Sequence, residues 1–120
     1  MNKINLTEAF ADIKEFWHPK IAGDINNFQI KLAKLHGAFE WHFHEQEDEL
    51  FLVINGQLRM HFRDHSEDLS PGEFIIIPRT VEHMPEALTE ICEIVLFEPA
   101  NTLNTGNVIS ERTRNELERL

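Results

Sequence analysis

Two histidines one residue apart, His42 and His44, are the part of this chain best suited to chemistry. On a β-strand, alternate side chains leave from the same face, so both imidazoles project to one side with Cα atoms about 7 Å apart. That separation lets two ring nitrogens converge on one metal ion at about 2.0–2.1 Å each. Glu49 opens the next apolar run, Glu49-Leu-Phe-Leu-Val-Ile54, where a carboxylate can complete the group. Glu40 has the same strand parity as the two histidines. It is a candidate acid/base residue or a partner of a ligand, and the competing role is a rim carboxylate paired with a nearby Lys or Arg. Other chemistries lack their signatures. There is no nucleophile elbow around a Ser or Cys and no Gly-rich phosphate loop, and residues 45–49 lack the glycine and ligand spacing of a calcium loop.

These side chains need a rigid β scaffold, and the hydrophobic pattern supplies one. Phe28, Ile30 and Leu32 alternate with Gln29 and Lys31, as in a half-buried strand. A second strand is expected over residues 39–44, and the run from Glu49 to Ile54 reads as central. Asn55-Gly56 then separates that run from a second alternating one, Gln57 to Arg63, which predicts a hairpin with both turn residues at positive φ. Ser70-Pro71-Gly72-Glu73 fits a type II turn. Residues 74–77 predict a short buried strand, and 91–97 the last one. Seven or eight short strands broken by Gly and Pro make the domain all-β, a barrel or a sandwich.

Upstream, Leu6, Phe10, Ile13 and Trp17 fall on one helical stripe. Asn5 and Glu8 are spaced as a capping box, and Pro19 marks the stop. The expectation is one domain: a helical segment over 1–20, a β-barrel over 24–99 and a tail over 100–120, in which 110–120 could form a short helix.

The segment Gly37-x4-His42-x-His44-x4-Glu49-x6-Gly56, followed by Gly72-x5-Pro78-x4-His83, resembles the two signature motifs of the cupin superfamily. Three details depart from the common pattern. The first glycine is one residue closer to the histidines, Thr80 stands where a glycine is usual, and Pro85 follows where the second motif often ends in Asn. All three touch turns rather than ligands. The resemblance implies a double-stranded β-helix, or jelly-roll barrel, with His42, His44, Glu49 and His83 as ligands of one divalent metal. It also implies a homodimer. Three imidazoles and a carboxylate suit zinc, iron, manganese, nickel, cobalt or copper, and leave open positions if the ion prefers six ligands. The chain further resembles small bacterial cupins of the kind labelled mannose-6-phosphate isomerase-like. A metal-dependent enzyme acting on a small molecule is the leading expectation, a dioxygenase with iron or an isomerase with zinc, manganese or nickel. A non-catalytic metal- or ligand-binding module is the alternative. Phosphate anchoring would need a basic cluster, for which Arg79 is the one candidate.

Composition narrows the partners. With 21 acidic against 11 basic residues, a formal charge of −10 opposes nucleic acid and anionic membranes. No apolar run reaches transmembrane length, and residues 1–10 lack the apolar core of a signal sequence. The single cysteine, Cys92, cannot form an internal disulfide and reads as a small buried hydrophobe. Cytoplasm is the expected location.

Overall fold

The computed structural model describes residues 2–120. The described chain forms one helix, α1 (Leu6–Asp12), and eight strands: β1 (Lys20–Ile25), β2 (Phe28–Leu35), β3 (Glu49–Asn55), β4 (Leu58–Phe62), β5 (Ser66–Leu69), β6 (Phe74–Ile77), β7 (His83–Ala87) and β8 (Cys92–Pro99). Every strand pair is antiparallel. Two sheets result, one ordered β1-β2-β8-β3-β6 and one ordered β5-β4-β7. Their inner faces meet in a core that includes Leu35, Phe51, Val53, Met60, Ile77 and Ile94. The architecture is a jelly-roll β-barrel, as the motifs imply.

The helix is shorter than its stripe predicts. Asn5 does cap it, accepting from the Glu8 backbone N–H at 3.0 Å. Ile13, however, is already extended at φ −84°, ψ 119°. Phe10 and Ile13 have by then found their partner, Leu32 on the outer face of β2. The chain next runs beside β2, with Trp17 N–H donating to the Lys34 carbonyl at 2.9 Å. Tertiary pairing thus overrides the helical period.

The barrel begins at Lys20 rather than at 24. Ile25 pairs with Phe28 across Asn26-Asn27, and Asn26 has φ +53°, a conformation that Asn accepts better than most residues. The inner face of β2 is also the opposite of the expected one. Gln29, Lys31, Ala33 and Leu35 are buried, while Phe28 and Ile30 are only half-buried. Leu32 is buried because α1 covers it from outside.

Three further expectations are corrected. Residues 39–44 do not form a ladder and are held by isolated bridges, Ala38 to Glu86 and His42 to His83. Asn55-Gly56 does not close a hairpin, because β3 and β4 lie in different sheets. Of those two residues only Gly56 has positive φ, +87°, and a Cβ there would stand 2.5 Å from the Ile91 carbonyl oxygen. The turn is an inter-sheet corner pressed against the chain entering β8. β6, expected to be buried, is an edge strand with Phe74 and Ile76 60% and 55% exposed. The turn before it matches expectation, with Gly72 at φ +86° and Glu73 N–H donating to the Ser70 carbonyl at 3.0 Å.

The tail is not helical over 110–120. Side chains of Asn104, Ser110 and Thr113 bond the local backbone instead, the competition that disfavours helix. Its end lies along β1 through Ile21 N–H to Glu118 O and Leu120 N–H to Ile21 O, both 2.9 Å. No helix among the described residues is long and apolar enough to cross a membrane.

Candidate metal centre

The four residues named by the motifs come together. His42 and His83 face each other across a two-way backbone bridge, N–H to O at 3.0 and 2.9 Å. Glu49 and His83 are the first residues of β3 and β7. One potential ligand atom from each of His42, His44, Glu49 and His83 lies within 4.8 Å of the other three, and all four residues are buried. The turn that delivers His83 passes through Thr80 at φ +73°. It takes, without a glycine, the conformation for which the motif usually uses one.

Backbone carbonyls orient two of the rings. His42 Nδ1 donates to the Glu40 carbonyl and His83 Nδ1 to the Val81 carbonyl, both at 2.9 Å. That tautomer leaves each Nε2 lone pair pointing inward, the usual arrangement for metal-ligating histidine. His44 Nε2 and His83 Nε2 lie 2.9 and 3.2 Å from Glu49 Oε1. None of these three atoms has a hydrogen bond of acceptable geometry within the protein. A buried polar atom left unsatisfied costs about 1–3 kcal/mol. A divalent cation among them would answer all three at once, and the nitrogen–oxygen donor set fits a transition metal or zinc.

The electrostatics favour the ligating forms. Burial, reinforced by the nearby charge of His83, lowers the His42 pKa to about 4. Burial alone would raise Glu49, but the adjacent Glu98 carboxyl and the close approach of the His44 and His83 rings hold it well below the usual carboxylate range. Glu98 moves the opposite way, well above that range, through burial and the adjacent Glu49. Burial also lifts the Cys92 thiol to about 11, in keeping with an inert core residue.

Beside the cluster lies a cavity of about 40 Å³. Its wall is mainly apolar, with Trp17, Leu35, Phe39, Phe51 and Leu96, and its polar members are His42, Glu49, Glu98 and Asn104. Trp17 stacks on Phe39 at 4.7 Å, and Phe39 meets His42 edge-on at 5.4 Å. Trp17 has φ +59°, a strained backbone for a bulky residue. It is held there by its Nε1–H, which donates to the His36 carbonyl at 2.8 Å.

Glu40 is half-buried and does not line the cavity. Its Oε1 accepts from Ser110 Oγ at 2.9 Å, and Arg112 Nη1 is 3.7 Å from its Oε2. What reaches His42 is its backbone carbonyl rather than its carboxylate. Arg79 does not line the cavity, and neither does any other Lys or Arg. Sequence reasoning missed Trp17, Lys31 and Glu98. Glu98 had a signal, since Cys92, Ile94 and Leu96 precede it at the same parity and all are buried.

The comparisons with known proteins agree with this geometry. A cupin domain model matches residues 30–98, more than half the chain, and the protein belongs to the cupin family. It is 30% identical over 80 residues to the uncharacterized protein YdbB of Bacillus subtilis, a match spanning 66% of this chain and 71% of that one. A cupin-2 domain protein of Shewanella frigidimarina is 41% identical with a TM-score of 0.78, over 80% of this chain and 93% of its own. NMB1881 of Neisseria meningitidis is 34% identical with a TM-score of 0.74, over 82% and 100%.

Proposed function

We propose that the protein is a metal-dependent enzyme that acts on a small, largely apolar and uncharged molecule. The reaction would be a dioxygenation if the metal is iron, or an isomerisation with zinc, manganese or nickel. One observation carries the reading: two members of a buried three-imidazole, one-carboxylate set, His42 and Glu49, line a cavity beside it. A bound metal would supply Lewis-acid activation. The chain's own part is to fix the His42 and His83 rings through the Glu40 and Val81 carbonyls and to exclude bulk water with Trp17 and Phe39. The lack of Lys and Arg from the wall argues against a phosphorylated substrate and supports a neutral one. Glu40, tied to Ser110 and Arg112, would act as an acid/base group only by breaking those contacts. A non-catalytic metal- or ligand-binding module is the second reading, favoured by the small cavity. A turnover screen of metal-reconstituted protein across oxygen-consuming and isomerising substrates separates them. Saturable ligand binding with no turnover would refute the enzyme.

The strongly exposed Phe74 and Ile76 on the edge strand support pairing of two copies through that sheet. Light scattering should give twice the chain mass, and a monomer at micromolar concentration would contradict this. One buried cysteine without a disulfide partner fits a reducing, cytoplasmic setting.

A further inference from the structure

The barrel interior holds a buried lysine–glutamate contact that the metal ligands do not require. Lys31 Nζ is 2.8 Å from Glu98 Oε1, with side chains 1% and 3% exposed. Lysine is almost never buried this fully. Burying a lysine and a carboxyl group is costly, and replacing such a pair with apolar groups of similar volume is often neutral or stabilising. Stability alone is therefore a poor reason for the pair to be there.

Its place in the sheet supplies a better one. β8 lies between β2 and β3. Leu50 pairs with Phe97, so the next step of the register sets Glu49 opposite Glu98. Directly opposed strand residues have Cβ atoms about 4.5–5.5 Å apart. On the other side Lys31 pairs with Leu96, two residues from Glu98 on the same face. The three side chains form a row across three strands, Lys31 to Glu98 to Glu49. The row ends on the carboxylate oxygen that reaches His44 and His83. Glu98 Oε2 is buried and finds no protein donor, and Glu98 and Glu49 line the same cavity.

We propose that Glu98, anchored by Lys31, is a positioning residue of the metal centre, holding the Glu49 carboxylate so that Oε1 faces His44 and His83. The inference rests on the metal reading given above. Lys31 fixes Glu98, and Glu98 in turn meets Glu49 and keeps it from swinging toward the lysine. Without Glu98 the Lys31 ammonium would compete with the metal for Glu49.

The test compares two charge-neutral pairs. Lys31→Leu with Glu98→Leu removes both polar side chains and with them any hydrogen bond from position 98 to Glu49. Lys31→Leu with Glu98→Gln also removes the lysine and the ionisable carboxyl but keeps an N–H that can donate to Glu49. Zinc affinity is read by competition with a chromogenic chelator, and folding by thermal melting of the metal-free protein. The Leu/Leu protein should bind zinc about 10–100-fold more weakly, the usual effect of losing a group that orients a ligand. The Leu/Gln protein should stay within a few-fold of wild type. A purely structural role would lower the melting temperature and leave the zinc affinity of the folded protein unchanged, and that result overturns the proposal. Equal zinc affinities in the Leu/Leu and Leu/Gln proteins overturn it as well. Wild type that takes up no zinc would instead defeat the metal reading itself.

Discussion

Replacing His42 with Asn removes one titrating imidazole while keeping a side-chain N–H that can still reach the Glu40 carbonyl. In the metal-free protein the His42 pKa falls from 6.5 to about 4, so the folded state binds this proton less readily than the unfolded chain. Stability from this group is therefore complete above pH 6.5 and is lost as pH falls toward 4. Linkage puts the loss at about 1.4 kcal/mol by pH 5.5 and about 3 kcal/mol by pH 4. Glu98 titrates with the opposite sign, since its raised pKa adds stability at low pH that fades as pH rises. The useful quantity is thus the difference between wild type and His42→Asn. Urea unfolding in the presence of a chelator at pH 7.5, 5.5 and 4 measures it. Wild type should lose about 3 kcal/mol more than the variant across that range. Parallel stability curves would refute the claim that His42 is buried as a neutral base.

The other predictions concern the scaffold. Gly56→Ala should cost about 1–3 kcal/mol in urea unfolding, because its Cβ would stand 2.5 Å from the Ile91 carbonyl oxygen at φ +87°. Gly23→Ala, with no atom within 4 Å of the added carbon, should cost less than half as much; equal costs would place the Gly56 corner wrongly. Cys92 should resist thiol reagents in the native protein at pH 8, since a pKa of about 11 leaves about 0.1% thiolate. Rapid labelling without unfolding would contradict its burial.

The candidate metal centre was legible because its four residues lie on short, punctuated segments whose spacing carries geometry. Strand parity placed His42 and His44 together, and the motif match brought in His83 from a different sheet. What the sequence hid follows from which faces are covered. The alternation in β2 suggested that Phe28 and Ile30 face inward, but α1 shields Leu32 from outside, so both faces of the strand carry apolar residues. Once the parity of β2 is misjudged, Lys31 reads as solvated, and its partner Glu98, 67 residues away, goes unseen. Asn55-Gly56 misled for a related reason. The same dipeptide serves a hairpin or a corner between sheets, and only the approach of Ile91 and Cys92 decides. Trp17 left its helical stripe because the indole found a ring and a carbonyl to bind, neither of which is near it in sequence.

Metal content tests the central claim most directly. Tag-free protein purified without chelators or added metal should carry about one divalent ion per chain by inductively coupled plasma mass spectrometry. The His44→Ala and His83→Ala proteins should carry essentially none while remaining folded. Wild type that is metal-free and stays so after reconstitution, or alanine variants at full occupancy, would contradict the account.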